Sequence, residues 1–316
     1  MSRNTHARRR PGRRSAVAAG LVLAVGLGVS TQVAAQAAAP AKASATASAK
    51  ASAGASAKAS AASRSISGFN GDVVTQVADF YGAYIDAKDD PAGPDGALSK
   101  ALRAHYLTPA FAKQLTAWET KNGADGVLRA QNVPARWTVS EGGNGLEVVV
   151  ALTYGGGESP TTTTNLVVKL DPVDGITGIR STNTAPAKAS AAVRSVSGRT
   201  GESVTQVADF YGAYVDAKDA PRGPDAALSK ALRAHYLTPA FAKQLAAWEK
   251  KNGADGVLRA QNVPVEWTVS EGRTSREIDV THTFGGGEAP TVTTRLVVKL
   301  EPVSGDITDI RTTTTR

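Results

Sequence analysis

The 316-residue chain has no cysteine, one methionine and only four histidines. Without cysteine there is no disulfide, no thiolate metal centre and no thiol nucleophile. Stability must come from core burial, which copies of roughly 115 residues can supply. The histidines are scattered, His6 among them, and no His, Asp or Glu cluster has metal-ligand spacing. A Gly-x-Ser-x-Gly elbow is missing too. The Gly155–Glu158 run (GGGE) lacks the Lys-Ser/Thr of a phosphate loop and falls between two strand-like segments. No cofactor and no metal are expected.

Acidic residues are absent from residues 1–64, which hold ten arginines and lysines. That imbalance explains the formal charge of +8 and the pI of 9.7. Residues 65–181 sum to −4 and residues 194–316 to +1. A phosphate-gripping domain shows a clustered basic face; neither region does, so a nucleic-acid partner is not expected. Long apolar runs are also missing. Ala16–Val29 falls short of the roughly 20 apolar residues a membrane helix needs, so the mature chain should have no span.

What the front of the chain does have is an order: arginine-rich to Arg14, apolar to Val29, then small residues around Val33–Ala39. That order describes a secretory signal peptide over 1–39, and hence an exported protein. Residues 40–64, rich in Ala, Ser and Lys, cannot pack a core and read as a disordered spacer.

The rest is a tandem repeat. Val74–Gly142 returns 130 residues later as Val204–Gly272 with eight differences, among them Asp90/Ala220, Gly96/Ala226 and Arg136/Glu266. The expected domains are 65–181 and 194–316, joined by an Ala/Pro/Lys/Ser-rich linker over 182–193 and folding independently. Within a copy, Asp72 (or Ser203) caps a helix whose stripe is Val74, Val77, Ala78, Tyr81, Tyr84 and Ile85, leaving Asp79 and Asp86 on the solvent side. Asp95 caps a second helix carrying Leu98, Leu102, His105 and Tyr106. Thr108-Pro109 opens a third, with Phe111, Leu115 and Trp118 inward, and Asn122-Gly123 closes it. The period then changes to two: Trp137 and Val139; Val148, Val150, Leu152 and Tyr154; Thr162 to Leu170; and Ile176–Arg180. Three helices followed by about four antiparallel strands make an α+β domain, with helices on one face of a curved sheet.

The Asp-Phe-Tyr-Gly-Ala-Tyr core of the first helix, the Tyr-Leu-Thr-Pro entry to the third, and Gly-Val-Leu-Arg-Ala-Gln-Asn-Val-Pro before Trp137 carry a resemblance. Each repeat resembles a family of small exported bacterial domains of unknown function, with a cone-shaped fold similar to nuclear transport factor two. The resemblance implies a fold rather than a reaction, since isomerases, dehydratases, cyclases and pure binding proteins share the cone.

The candidate ligand-binding residues are Tyr84, His105 and Trp137 of the first copy and Tyr214, His235, Trp267 and His282 of the second. The histidines could act as bases oriented by Asp79 or Asp86, or sit satisfied in the core. The aromatics could line an apolar pocket or simply be core. Arg129–Asn132 could face a cone mouth or be a solvated loop. His282 stands where copy one has Leu152, on the presumed inner face, while Asp279 replaces Val149 on the outer one. The expectation is an exported, non-enzymatic protein binding a small apolar ligand or a cell-envelope protein. The alternatives are a cone-type isomerase, dehydratase or cyclase, and a ligand-free wall-associated spacer.

Overall fold

The computed structural model describes residues 64–183 and 194–313, apart from the short runs 91–94, 144, 157–158, 172, 174, 220–223 and 287–288. The signal-peptide and spacer readings, His6 and most of the linker lie outside the described residues. The described residues form one compact unit.

The described residues are α+β, with six helices and two antiparallel five-stranded sheets. In chain order the first half runs β1 (Ser65–Phe69), α1 (Val73–Asp89), α2 (Gly96–Tyr106), α3 (Pro109–Asn122), β2 (Arg136–Glu141), β3 (Glu147–Gly156), β4 (Ser159–Asp171) and β5 (Gly175–Thr182). The second half repeats it as β6 (Ser195–Arg199), α4 (Ser203–Asp219), α5 (Ala226–Tyr236), α6 (Pro239–Asn252), β7 (Glu266–Glu271), β8 (Glu277–Gly286), β9 (Ala289–Leu300) and β10 (Ile307–Thr312).

Local chemistry places the helix ends. Asp72 accepts from the Thr75 amide, Asp95 from the Ala97 and Leu98 amides, and Thr108 from Phe111 ahead of Pro109. Gly123, with φ 62°, ends α3 in the left-handed region that glycine adopts freely. Ser203 is the first residue of α4 rather than its cap, and Glu202 takes the position that Asp72 holds in α1.

The sheets do not follow the repeat boundaries. Their orders are β5-β4-β3-β2-β6 and β1-β7-β8-β9-β10. The opening strand of each copy therefore completes the sheet of the other. The registers match: Ile66 faces Val269 and Gly68 faces Trp267, while Val196 faces Val139 and Gly198 faces Trp137. Gly68 and Gly198 are required there, because a Cβ would lie 2.5 Å from the indole beneath. Each copy contributes four strands to its own sheet, as the periodicity suggests. The fifth strand is borrowed, a pairing that no local pattern encodes.

Helices α1 and α4 pack on each other as well as on the sheets, and this corrects the expected exposure of Asp79. Asp79 and its counterpart Asp209 are each 3 % exposed. A Cβ on Gly212 would lie 2.1 Å from Asp79 Oδ1, and one on Gly82 would lie 2.1 Å from Asp209 Oδ1. The mid-helix glycines let each helix accept the other's carboxyl. Asp86 is mostly buried and accepts from Tyr236 Oη at 2.8 Å; Asp216 accepts from Tyr106 Oη at 2.7 Å. With exchanged strands and a shared helical seam, the two copies pack together in one compact unit.

Candidate functional site

The seven residues singled out by the sequence occupy four places. Trp137 and Trp267, each 2 % exposed, lie beneath the borrowed strands as core. His105 and His235 sit at the seam between copies. His105 Nδ1 is 3.1 Å from Asp225 Oδ2, and His235 Nδ1 is 3.4 Å from Asp95 Oδ2 and 3.7 Å from Asp90 Oδ2. Burial lowers both imidazoles from their ordinary value, partly offset by those carboxylates. Their partners come from the opposite copy, neither being Asp79 nor Asp86. His282 is fully buried between Tyr211 and Phe284, with ring centroids at 5.1 and 6.1 Å.

Tyr84 and Tyr214 reach something different. In copy two, Arg233 runs across the floor of a cleft between α5, α6 and the end of α4. Its Nε donates to Tyr214 Oη at 3.0 Å and its Nη1 to Glu249 Oε2 at 3.0 Å. Tyr214 donates to Asp255 Oδ2 at 2.8 Å, and Lys218 Nζ pairs with the same oxygen at 2.9 Å. Glu249 also accepts from the Gly256 amide, and Asp255 from the Val257 and Leu258 amides, which folds the turn after α6 onto the network. Copy one builds the same network from Arg103, Tyr84, Glu119, Asp125 and Lys88.

Electrostatics close this network rather than activate it. Burial opposes ionisation of Asp255, but Lys218, the Leu258 amide and Tyr214 outweigh it and hold the carboxyl below its usual range. Asp125 behaves alike through the Leu128 amide, Tyr84, Lys88 and Arg103. Burial and the adjacent carboxylate push both tyrosines up, so they stay protonated. Arg233, Tyr214, Glu249, Asp255 and Lys218 at the floor are thus committed to one another.

Above the floor the cleft is open. In copy two it encloses about 1020 Å³, with Ala226, Ala234, Leu237, Pro239 and Ala242 as apolar wall and the exposed Lys230 at the rim. The corresponding cleft of copy one encloses about 590 Å³. Ser229 and Ser99 line these clefts, 7 % and 6 % exposed, and neither hydroxyl has a hydrogen-bond partner. The clefts differ at Gly96/Ala226 and at Thr116, whose counterpart is Ala246. Sequence reasoning missed Arg103, Glu119 and Asp125. The available signal was an arginine between the apolar positions of α2, with a glutamate near the end of α3.

Two other expectations changed. Trp118 is half-buried rather than core, with the Arg129 guanidinium 4.1 Å over its ring. Arg129 takes a left-handed φ of 54° and donates to the Ile179 carbonyl at 2.5 Å, so it fastens the loop to β5. A further groove of about 830 Å³ at the seam includes Asp86, Asp90, His235 and Asp306. Among the described residues no group of three or more His, Asp or Glu side chains is placed to hold a metal ion.

No family model matches the chain, and no curated protein does. Among solved structures, a crystal structure of a protein of unknown function from Bacteroides thetaiotaomicron VPI-5482 is similar at 21 % identity. The alignment covers 35 % of this chain and 88 % of that one, with a TM-score of 0.29. At that level the likeness carries no inference about fold or activity.

Proposed function

We propose that the chain is an exported, non-enzymatic binding protein whose ligand places are the paired clefts between the second and third helices of each copy. On this reading the cone-type domains serve as scaffold. Their inner aromatics fill the sheets, and an apolar ligand or a segment of an envelope protein would dock on the helical side. The observation that carries it is repetition: both copies keep the same cleft over the same closed Arg–Tyr–Asp–Glu floor, with an unpartnered serine in the wall. An apolar wall with a few fixed polar groups is the usual composition of a ligand site. A closed floor supplies binding shape without a reactive proton, which argues against an isomerase, dehydratase or cyclase.

The test uses 1-anilinonaphthalene-8-sulfonate, whose apolar rings fit the wall and whose sulfonate suits Lys230. The chain should bind the dye saturably, and Ala234→Trp, an exposed position in the wall, should remove the copy-two component while leaving the melting temperature in place. Dye binding unchanged in that variant would count against the cleft.

A further inference from the structure

We propose that the surface joining the two copies also joins molecules, so that a second copy of this chain is a partner, bound by exchange of β1 and β6. The surface is self-complementary. Each exchanged strand lies on its acceptor in the same register, and the seam repeats the same pairs in both directions: Asp79 on Gly212 and Asp209 on Gly82, Tyr106 to Asp216 and Tyr236 to Asp86. Arg194 pairs with Asp72 at 2.9 Å, and Arg64 pairs likewise with Glu202. Because the residues making these contacts recur in both copies, like copies from two molecules can make them too.

Charge decides which pairing the strands prefer. Within the chain, β6 sets Arg199 directly opposite Arg136, both exposed, and β1 sets Phe69 opposite Glu266. Like charges in direct cross-strand register are unfavourable. Laid on β7 of a second molecule in the same register, β6 would place Arg199 opposite Glu266. Laid on β2, β1 would place Phe69 opposite Arg136. Both like-copy pairings remove the Arg–Arg clash, and one replaces it with an ion pair. In dilute solution the covalent link keeps the halves of one chain together through its high effective concentration. Raised protein concentration during folding shifts the balance to the matched, intermolecular pairing.

The lack of cysteine permits a direct test on the full chain. In one molecule Ser195 faces Ser140 and Ser65 faces Ser270. Directly opposed strand residues lie within disulfide reach. The S140C/S195C variant should therefore oxidise within the chain, establishing that the geometry is accessible. The S195C/S270C variant has no facing partner inside a molecule, and like-copy exchange brings its two positions together. Refolded at high concentration and oxidised, it should run as a covalent dimer on a non-reducing gel. Adding R136E, which gives Arg199 an in-chain partner, should reduce that dimer several-fold. The proposal is overturned if S195C/S270C stays monomeric while S140C/S195C oxidises. It is equally overturned if R136E leaves the dimer fraction unchanged, since the bond would then record collision rather than register.

Discussion

At His282 and Phe284 the second copy differs from the first in two alternate residues of one strand. In the first copy Leu152 is apolar, and Tyr154 donates its hydroxyl to the Leu128 carbonyl at 3.1 Å. Phe284 has no hydroxyl to offer Leu258. Neither ring nitrogen of the neighbouring His282 has a hydrogen-bond partner. Burial lowers the imidazole to about 4, and the Leu258 carbonyl only partly offsets this. The ring is therefore neutral near pH 7. Because neither ring nitrogen of His282 has a partner, His282→Leu alone should leave stability within about 1 kcal/mol or raise it. Adding Phe284→Tyr should supply the hydroxyl that Tyr154 offers in copy one, and stabilise by about 1 kcal/mol more in the leucine background than beside His282 in a double-mutant cycle by urea unfolding. Additive effects would mean that the two sites are unconnected.

The helix pair α1/α4 is where residue choices become a property of an element. A glycine inside a helix normally costs about 1 kcal/mol relative to alanine. Gly82→Ala and Gly212→Ala should nevertheless destabilise by about 1–3 kcal/mol, since each new methyl would overlap the opposing aspartate. The same seam sets a pH dependence. Burial pushes Asp86 and Asp216 up to about 7, against the opposing pull of the Tyr236 and Tyr106 hydroxyls; Asp79 and Asp209 are raised as well, by burial and by the other aspartates of the seam. For an acid raised in the folded state, stability is greatest at low pH and is lost as pH climbs from the unfolded value through the folded one. The three lowered histidines act oppositely, losing stability as pH falls below their ordinary value. The windows overlap below about pH 6.5, where the two slopes oppose each other. Above it the aspartates act alone, so the melting temperature should drop between pH 6.5 and 8, and Asp86→Asn with Asp216→Asn should flatten that drop. A flat profile in the unmodified chain would show that the seam carboxyls are not held protonated.

For the whole molecule, what could be read from the sequence was what neighbouring residues decide. The caps at Asp72, Asp95 and Thr108, the stop at Gly123 and the alternation from Val148 to Tyr154 are local signals, and each element formed where they point. The strand exchange, the burial of Asp79 and the Arg103–Tyr84–Asp125 floor join residues far apart in the chain, so no periodicity encodes them. Gly82 was the visible trace: a glycine in the middle of a strongly apolar helix marks a close approach by something. The topology also changes what the linker does. If each copy were complete, cutting between residues 184 and 193 would release two particles. Since β1 belongs to the second sheet and β6 to the first, separation would strip a strand from both sheets and expose the aromatic faces of Trp137 and Trp267. It would also uncover Asp79 and Asp209 together with the apolar helix faces around them. A protease site introduced in the linker and cut under native conditions should therefore give halves that co-elute on size exclusion and unfold in a single transition. That transition should become dependent on protein concentration once the chain is severed, because unfolding then also dissociates the halves. Two separate peaks, each retaining its own cooperative melt, would restore independent domains and reduce the exchanged strands to decoration.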